Sequence, residues 1–285
     1  MAGSHYDIFF LGAGSMAEAL IRGITGSGLL PPERVTAANR SNAERLRELS
    51  ARYGIRTVFG EQDKIEALAR ADVVVLGMKP KDAAEAIASL KTHLAPRQLV
   101  VSVIAGLSIG VIQGLLGRRQ PVARTMPNTS SQIGLGAAGI AFSPEVDGED
   151  RERVLALFRA VGLAAVVEEE LLDAVTAVSG SGPAYIYYMM EAMMEAAGRL
   201  GLSPDAAREL VVQTVRGAAE TVRLTGEAPA ELRRRVTSPG GTTQAAIETL
   251  DRFGFREAVI RSMERAAERA GELGAAIAAA AEGRS

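Results

Sequence analysis

Asp7 to Leu11 reads as a short apolar strand, and it runs without a spacer into Gly12-Ala-Gly14-Ser-Met-Ala17, a GxGxxA turn opening a helix over Ser15 to Thr25. Few folds accept that junction. Glycine at 12 permits the tight turn, and glycine at 14 lets backbone N–H groups approach a pyrophosphate at the positive helix end. Gly12, Ala13, Gly14, Ser15 and Met16 are therefore candidate cofactor-binding residues. A lone GxG is a weak signal, so its surroundings decide. Further strands fit Val35 to Ala38, Arg56 to Val58, Val73 to Leu76, Leu99 to Ile104, Val122 to Thr125, Gly139 to Phe142 and Ala164 to Val167, with helical periodicity between most of them. Ser41 to Glu44 reads as a capping box and Gly54 as the stop of the helix it opens. Such alternation predicts an α/β domain over residues 1–168, a doubly wound, mostly parallel sheet of the Rossmann type.

The texture changes after Glu168. Asp173 to Val178, Ala184 to Leu200, Pro204 to Thr225, Pro229 to Val236, Thr243 to Phe253 and Phe255 to Ala281 are rich in Ala, Leu, Glu, Arg and Met, which predicts an all-helical second domain over 169–285. Met189, Met190, Met193 and Met194 share one helix face and suit packing against another helix, in the same chain or in a second subunit. Leu99 to Gly117 carries no charge and contains a GxxxG pattern, yet its β-branched first half and the N-cap signal at Ser108 predict a strand, a turn and a helix instead of a membrane span.

Composition narrows the chemistry. With 32 basic and 34 acidic side chains the net charge is -2, so no field draws the chain to nucleic acid or an anionic membrane; a small molecule is the expected ligand. No cysteine and only His5 and His93 leave no material for thiol nucleophiles, Ser-His-Asp triads or Cys/His metal sites, and no metal is expected. Nothing at the N-terminus reads as a basic stretch followed by an apolar one, so the cytoplasm is the expected location.

The second strand ends in Ala38-Asn39-Arg40-Ser41, where an NAD-selective chain usually places an acid for the ribose hydroxyl. Arg40 can pair with a 2′-phosphate through a charge-assisted fork, and Asn39 and Ser41 can donate further bonds, so NADPH is expected over a weaker NADH. Met78-Lys79-Pro80 and Ala105 follow later strand ends and face the same crevice.

Val236-Thr-Ser238-Pro-Gly240-Gly241-Thr242-Thr243 precedes a helix through Gln244, Ile247 and Leu250, which sets free N–H groups at a helix start, a site for a carboxylate or phosphate. This block, together with Gly12-Ala-Gly14-Ser-Met16, Met78-Lys79-Pro80, Met126-Pro127-Asn128-Thr129 and Asp173-Ala-Val-Thr-Ala-Val-Ser-Gly-Ser-Gly-Pro-Ala-Tyr185, resembles pyrroline-5-carboxylate reductase, the last enzyme of proline biosynthesis. The resemblance covers nearly the whole chain. It implies a Rossmann domain and a helical domain that interlocks with a second subunit in a homodimer, often within a ring of dimers.

It also implies roles. Ser238, Gly240, Gly241, Thr242 and Thr243 fall on the family's substrate loop, with the substrate carboxylate on N–H groups around Gly241 to Thr243 and the Thr243 hydroxyl on the imine nitrogen. Glu169 and Glu227 match acidic positions of that site, and Asn128 and Lys64 match cofactor positions. Lys64 stands where an asparagine is common, Ala228 where histidine is, and Thr125 and Ser130 alter the flanks of Met-Pro-Asn. The chemistry agrees: a cyclic imine needs hydride on carbon and a proton on nitrogen, and an iminium arrives with its proton. Two rivals stand beside it. Dehydrogenases of the hydroxyacid and 6-phosphogluconate type use a lysine in the helical domain, whereas all four lysines here, Lys64, Lys79, Lys81 and Lys91, lie in the first third. A non-catalytic NADP sensor would bind the nucleotide and turn nothing over.

Overall fold

The computed structural model describes residues 6–282. In chain order the first part runs β1 (Ile8–Leu11), α1 (Ser15–Gly26), β2 (Val35–Ala38), α2 (Ala43–Tyr53), β3 (Arg56–Val58), α3 (Glu61–Arg70), β4 (Val73–Leu76), α4 (Pro80–Leu90), β5 (Leu99–Ser102), α5 (Ile109–Leu116), β6 (Val122–Pro127), β7 (Gly136–Phe142), α6 (Gly148–Arg159) and β8 (Gly162–Val166). The helices that follow are α7 (Leu172–Val175), α8 (Gly182–Arg199), α9 (Pro204–Thr225), α10 (Pro229–Arg235), α11 (Thr242–Arg252) and α12 (Phe255–Glu282). No helix among the described residues is long and apolar enough to cross a membrane. Leu99 to Gly117 resolves as β5, a turn and α5, with the Ser108 side chain accepting from Val111 N as its N-cap.

Among the described residues eight strands form one sheet in the order β3-β2-β1-β4-β5-β6-β7-β8, parallel except for the antiparallel β6–β7 pair. Alternation along each strand feeds two cores. Ile8, Phe10, Val73, Val75, Leu99 and Val101 face α1, α2 and α6. Phe9, Val74, Leu76 and Val100 face α3, α4 and α5. Period-two placement of apolar side chains in strands covered on both sides is what a buried parallel sheet requires. The chain leaves β1 to one side through β2 and returns to the other through β4, so the strand order reverses between β1 and β4, where Leu11 pairs with Leu76. A crevice beyond the carboxyl ends of strands at such a reversal is where nucleotides bind.

Some boundaries shift from expectation. β7 starts at Gly136, three small residues earlier than its apolar content suggests, because it is paired on both sides by β6 and β8. The capping box at Ser41 gives way to Asn42: the Asn39 side-chain oxygen accepts from the Ser41 and Asn42 N–H groups, and the Asn42 oxygen accepts from Arg45 N at 2.9 Å. Gly54 ends α2 in a left-handed conformation, as expected. The helix expected from Asp173 to Val178 is instead α7 followed by a π-helical turn over Thr176–Gly180.

Contacts divide the chain into two compact units that differ from a cut after 168: one holds residues up to Ser181 and those from Ala266, the other Gly182–Arg265. α7 belongs to the first because Leu172 and Val175 press on β7 where Gly139 leaves room; a Cβ there would lie 2.8 Å from the Val175 methyls. The end of α12 belongs there too. A Cβ on Gly274 would stand 3.0 Å from the Gly106 carbonyl oxygen, and Ile277 packs on the core beneath α4 and α5. The second unit contains α8, α9, α10, α11 and the start of α12, and exposes Tyr188, Leu200 and Phe253, each more than three-quarters accessible.

Candidate active site

The glycine turn is set by neighbours on both sides of the strand reversal. Gly12 has φ +114°, and a Cβ on it would lie 2.7 Å from the carbonyl carbon and oxygen of Gly77. Its N–H donates to Ala38 O, and the Gly77 N–H donates to Leu11 O, both at 3.0 Å. Gly14 is the N-cap of α1 and supplies no side-chain cap, so the first-turn N–H groups, those of Ser15 and Met16 among them, have no intrahelical acceptor.

Arg45 braces this turn, a role its position in the sequence does not announce. Its Nε donates to Ala13 O at 3.3 Å while its guanidinium pairs with Glu18 of α1. Glu18 also accepts from Arg52 at 2.9 Å and from the Tyr53 hydroxyl at 3.0 Å. Burial pushes the Glu18 carboxyl up, but the hydrogen bonds from Arg45 and Tyr53 and the two arginine charges outweigh it and hold it below its usual range.

A cleft of about 600 Å³ opens from the glycine turn along the carboxyl ends of β1, β2 and β4. Gly12, Ala13 and Gly14 line its floor, Asn39, Arg40 and Ser41 one wall, and Lys64, Met78 and Lys79 the other. Asn39 spends its side-chain oxygen on the turn that follows β2. Arg40 Nη2 stands 3.4 Å from Asp82 Oδ1, a carboxylate brought in by α4. Lys64 is mostly buried, and its ammonium meets Glu61 at 3.2 Å. The basic wall and the free helix start fit a phosphorylated dinucleotide in both charge and backbone geometry.

Other expected cofactor residues do not line that cleft. Ser15 and Met16 contribute as the opening of α1, Pro80 is the first residue of α4 with Lys79 as its N-cap, and Ala105 lies in the loop after β5. Asn128 is nearly fully buried and has both ends engaged: Nδ2 donates to Ser179 O at 3.0 Å and Oδ1 accepts from Ala137 N at 3.2 Å. It ties β6 to the π-helical turn and β7, and it does so inside the fold.

In the second unit, Ser238 to Thr243 forms a turn at the start of α11. The Gly241 N–H donates to Ser238 O at 3.0 Å, and the Gly240 N–H donates to the Gln244 side chain at 2.7 Å. Gly241 is the N-cap, so α11 opens on the N–H groups of Thr242, Thr243 and Gln244. The Gly241 N–H is engaged in closing the turn, whereas those of Thr242, Thr243 and Gln244 have no acceptor within the helix. The Thr243 hydroxyl has no hydrogen-bond partner among the described residues, and its side chain is half-buried.

Both acidic candidates have arginine partners in this structure. Glu169 accepts from Ile109 N at 2.8 Å, capping α5, and pairs at 3.2 Å with Arg124, which also reaches Asp173 at 3.5 Å. Glu227 pairs with Arg235 at 2.6 Å within the second unit.

Comparison with known proteins agrees with these parts. Residues 169–273 match the family model for pyrroline-5-carboxylate reductase dimerisation, and residues 7–106 match that for coenzyme F420-dependent NADP oxidoreductases. The chain is similar to pyrroline-5-carboxylate reductase 2 of Bacillus subtilis, 46% identical over 96% of this chain and 97% of the relative. It is 41% identical to the Pseudomonas aeruginosa pyrroline-5-carboxylate reductase over 93% and 96% of the two chains. Among solved structures, the Coxiella burnetii reductase superposes with a TM-score of 0.88 at 38% identity, covering 94% of this chain and 98% of that one. The Plasmodium falciparum enzyme, solved with NADP bound, gives 0.84 at 27% identity over 95% and 98%. A glycine turn at a strand reversal, an uncapped helix start after Pro-Gly-Gly, and this likeness along nearly the whole chain lead to one assignment: the chain belongs to the pyrroline-5-carboxylate reductase family.

Proposed function

We propose that the protein reduces 1-pyrroline-5-carboxylate to L-proline with NADPH. The observation that carries this reading is the 46% identity to a reductase of that name over almost the full length of both chains. The functional division follows 1–168 for the cofactor and 169–285 for substrate and subunit contacts, the second beginning where the dimerisation match begins.

In the first unit, the α1 N-terminus with Gly12, Ala13, Gly14, Ser15 and Met16 takes the pyrophosphate. Arg40, Ser41 and Lys64 take the 2′-phosphate end, and Lys79 reaches ribose or phosphate. Nicotinamide, when bound, supplies the hydride. In the second unit the N–H groups of Thr242, Thr243 and Gln244 hold the substrate carboxylate, and the Thr243 hydroxyl holds the imine nitrogen. Fixing the carboxylate at a helix start fixes the ring's orientation, and orientation is the main source of rate where an iminium brings its own proton.

The exposed apolar side chains of the helical unit are covered by a second copy in a homodimer, which can repeat into a ring of dimers. Light scattering at low micromolar concentration checks this: a clean 29.9 kDa monomer would refute it.

The deciding experiment follows NADPH oxidation with racemic pyrroline-5-carboxylate. Saturable turnover forming proline is expected. Tight NADPH binding without turnover would favour a sensor, and turnover only with hydroxyacids the other dehydrogenases.

A further inference from the structure

Arg40 follows the end of β2 by two residues, between the uncharged Asn39 and Ser41, yet the fold places Asp82 Oδ1 of α4 3.4 Å from Arg40 Nη2. Both side chains line the cofactor cleft. We infer that Asp82 is a specificity-determining residue, setting how strongly NADPH is preferred to NADH. This rests on the assignment of Arg40 to the 2′-phosphate.

A carboxylate at that point has opposite effects on the two cofactors. It occupies the guanidinium that a phosphate needs and repels the phosphate's own charge, but toward a ribose hydroxyl it is an acceptor, the part an acid after the second strand plays in NAD-selective chains. The cleft carries Arg40, Lys64, Lys79 and Lys81 against Glu61, Asp82 and Glu85. Glu61 is turned to Lys64, and among the described residues Asp82 is the acid paired with Arg40. The Arg40 side chain is 73% exposed and that of Asp82 30%, so water screens the pair and a phosphate can displace it. Asp82 thereby tempers the phosphate preference without abolishing it.

The test compares kcat/KM for NADPH and for NADH on single preparations of the native protein, Asp82→Asn and Arg40→Ala, so that the fraction of folded enzyme cancels in each ratio. Asp82→Asn is expected to raise the NADPH to NADH ratio roughly two- to fivefold, the size of an exposed charge contact, and the gain should shrink as salt is raised. Arg40→Ala should lower the ratio. An unchanged or lower ratio in Asp82→Asn, with the Arg40→Ala loss present, overturns the role of Asp82 and leaves the cofactor assignment standing. A native ratio in Arg40→Ala overturns the assignment of Arg40, and the role of Asp82 with it.

Discussion

Gly12 and Gly77, each immediately after a strand on either side of the order reversal, approach so closely that any side chain on Gly12 would enter the Gly77 peptide. Because Gly12 also sits at φ +114°, Gly12→Ala combines overlap with a backbone conformation alanine avoids. The variant should lose roughly 1–3 kcal/mol of stability, and its NADPH affinity should fall at least tenfold. Calorimetry and cofactor titration check both, and native-like affinity would show that the turn relaxes.

Thr243→Ala should lower kcat/KM for pyrroline-5-carboxylate by roughly ten- to a few hundredfold, the loss of about 1.5–3 kcal/mol for a hydrogen bond to a charged group. The NADPH dissociation constant and the pH profile should be retained, and Thr243→Ser should recover most of the loss. A variant weakened only in NADPH binding would reduce Thr243 to a residue of the α11 start.

Acid should act on the first unit through Glu18. Its carboxyl titrates below the ordinary value of 4.5, so its contribution to stability is fully present above that value and disappears as pH falls through the lower, folded one. Glu18→Gln should cost about 1 kcal/mol near neutrality, a Tm drop of about 2–4 °C, and flatten the acid limb of the Tm curve. Parallel limbs in the two proteins would count against this.

Alkali should act through Tyr6, whose hydroxyl is buried without a partner among the described residues and whose pKa burial pushes from 10.0 up to about 12, against a smaller opposing pull from Arg153. A raised folded pKa means stability that is intact below pH 10 and lost as the pH rises toward 12. Tyr6→Phe should remove that alkaline decline, on the order of 2–3 kcal/mol, and leave neutral stability equal or higher, since no hydrogen bond is given up. A clear drop in Tm at pH 7 would contradict the unpartnered hydroxyl.

Asn128→Ala should behave as a structural lesion, costing about 1–3 kcal/mol by orphaning Ser179 O and Ala137 N. Thermal unfolding should report it at full size while NADPH affinity at low temperature changes little. The reverse pattern would mark Asn128 as a cofactor residue.

These cases show where sequence is a good guide. β1, β2, β4 and β5 are legible because buried parallel strands are continuous apolar runs, and Ser108 is legible because capping is a local matter. Ser41 misleads for an equally local reason: the Asn39 side chain builds its own turn and moves the cap one residue on. The turn that the Gly241 N–H closes on Ser238 O is likewise not announced by the Pro-Gly-Gly block. Arg45, Asp82 and the bracket at Asn128 are out of reach because their partners lie 32, 42 and 51 residues away, where spacing carries no signal.

The return of α12 to the first unit bears on the order of events during synthesis. Gly274 and Ile277 close on the loop after β5 and the core beneath it, yet the ribosome delivers them only after the whole helical unit. At roughly 5–20 residues per second, the nascent nucleotide-binding sheet waits several seconds with the Gly106 surface open. Early collapse of the amino-terminal half thus gives a provisional body, and the last helix turns it into the finished one.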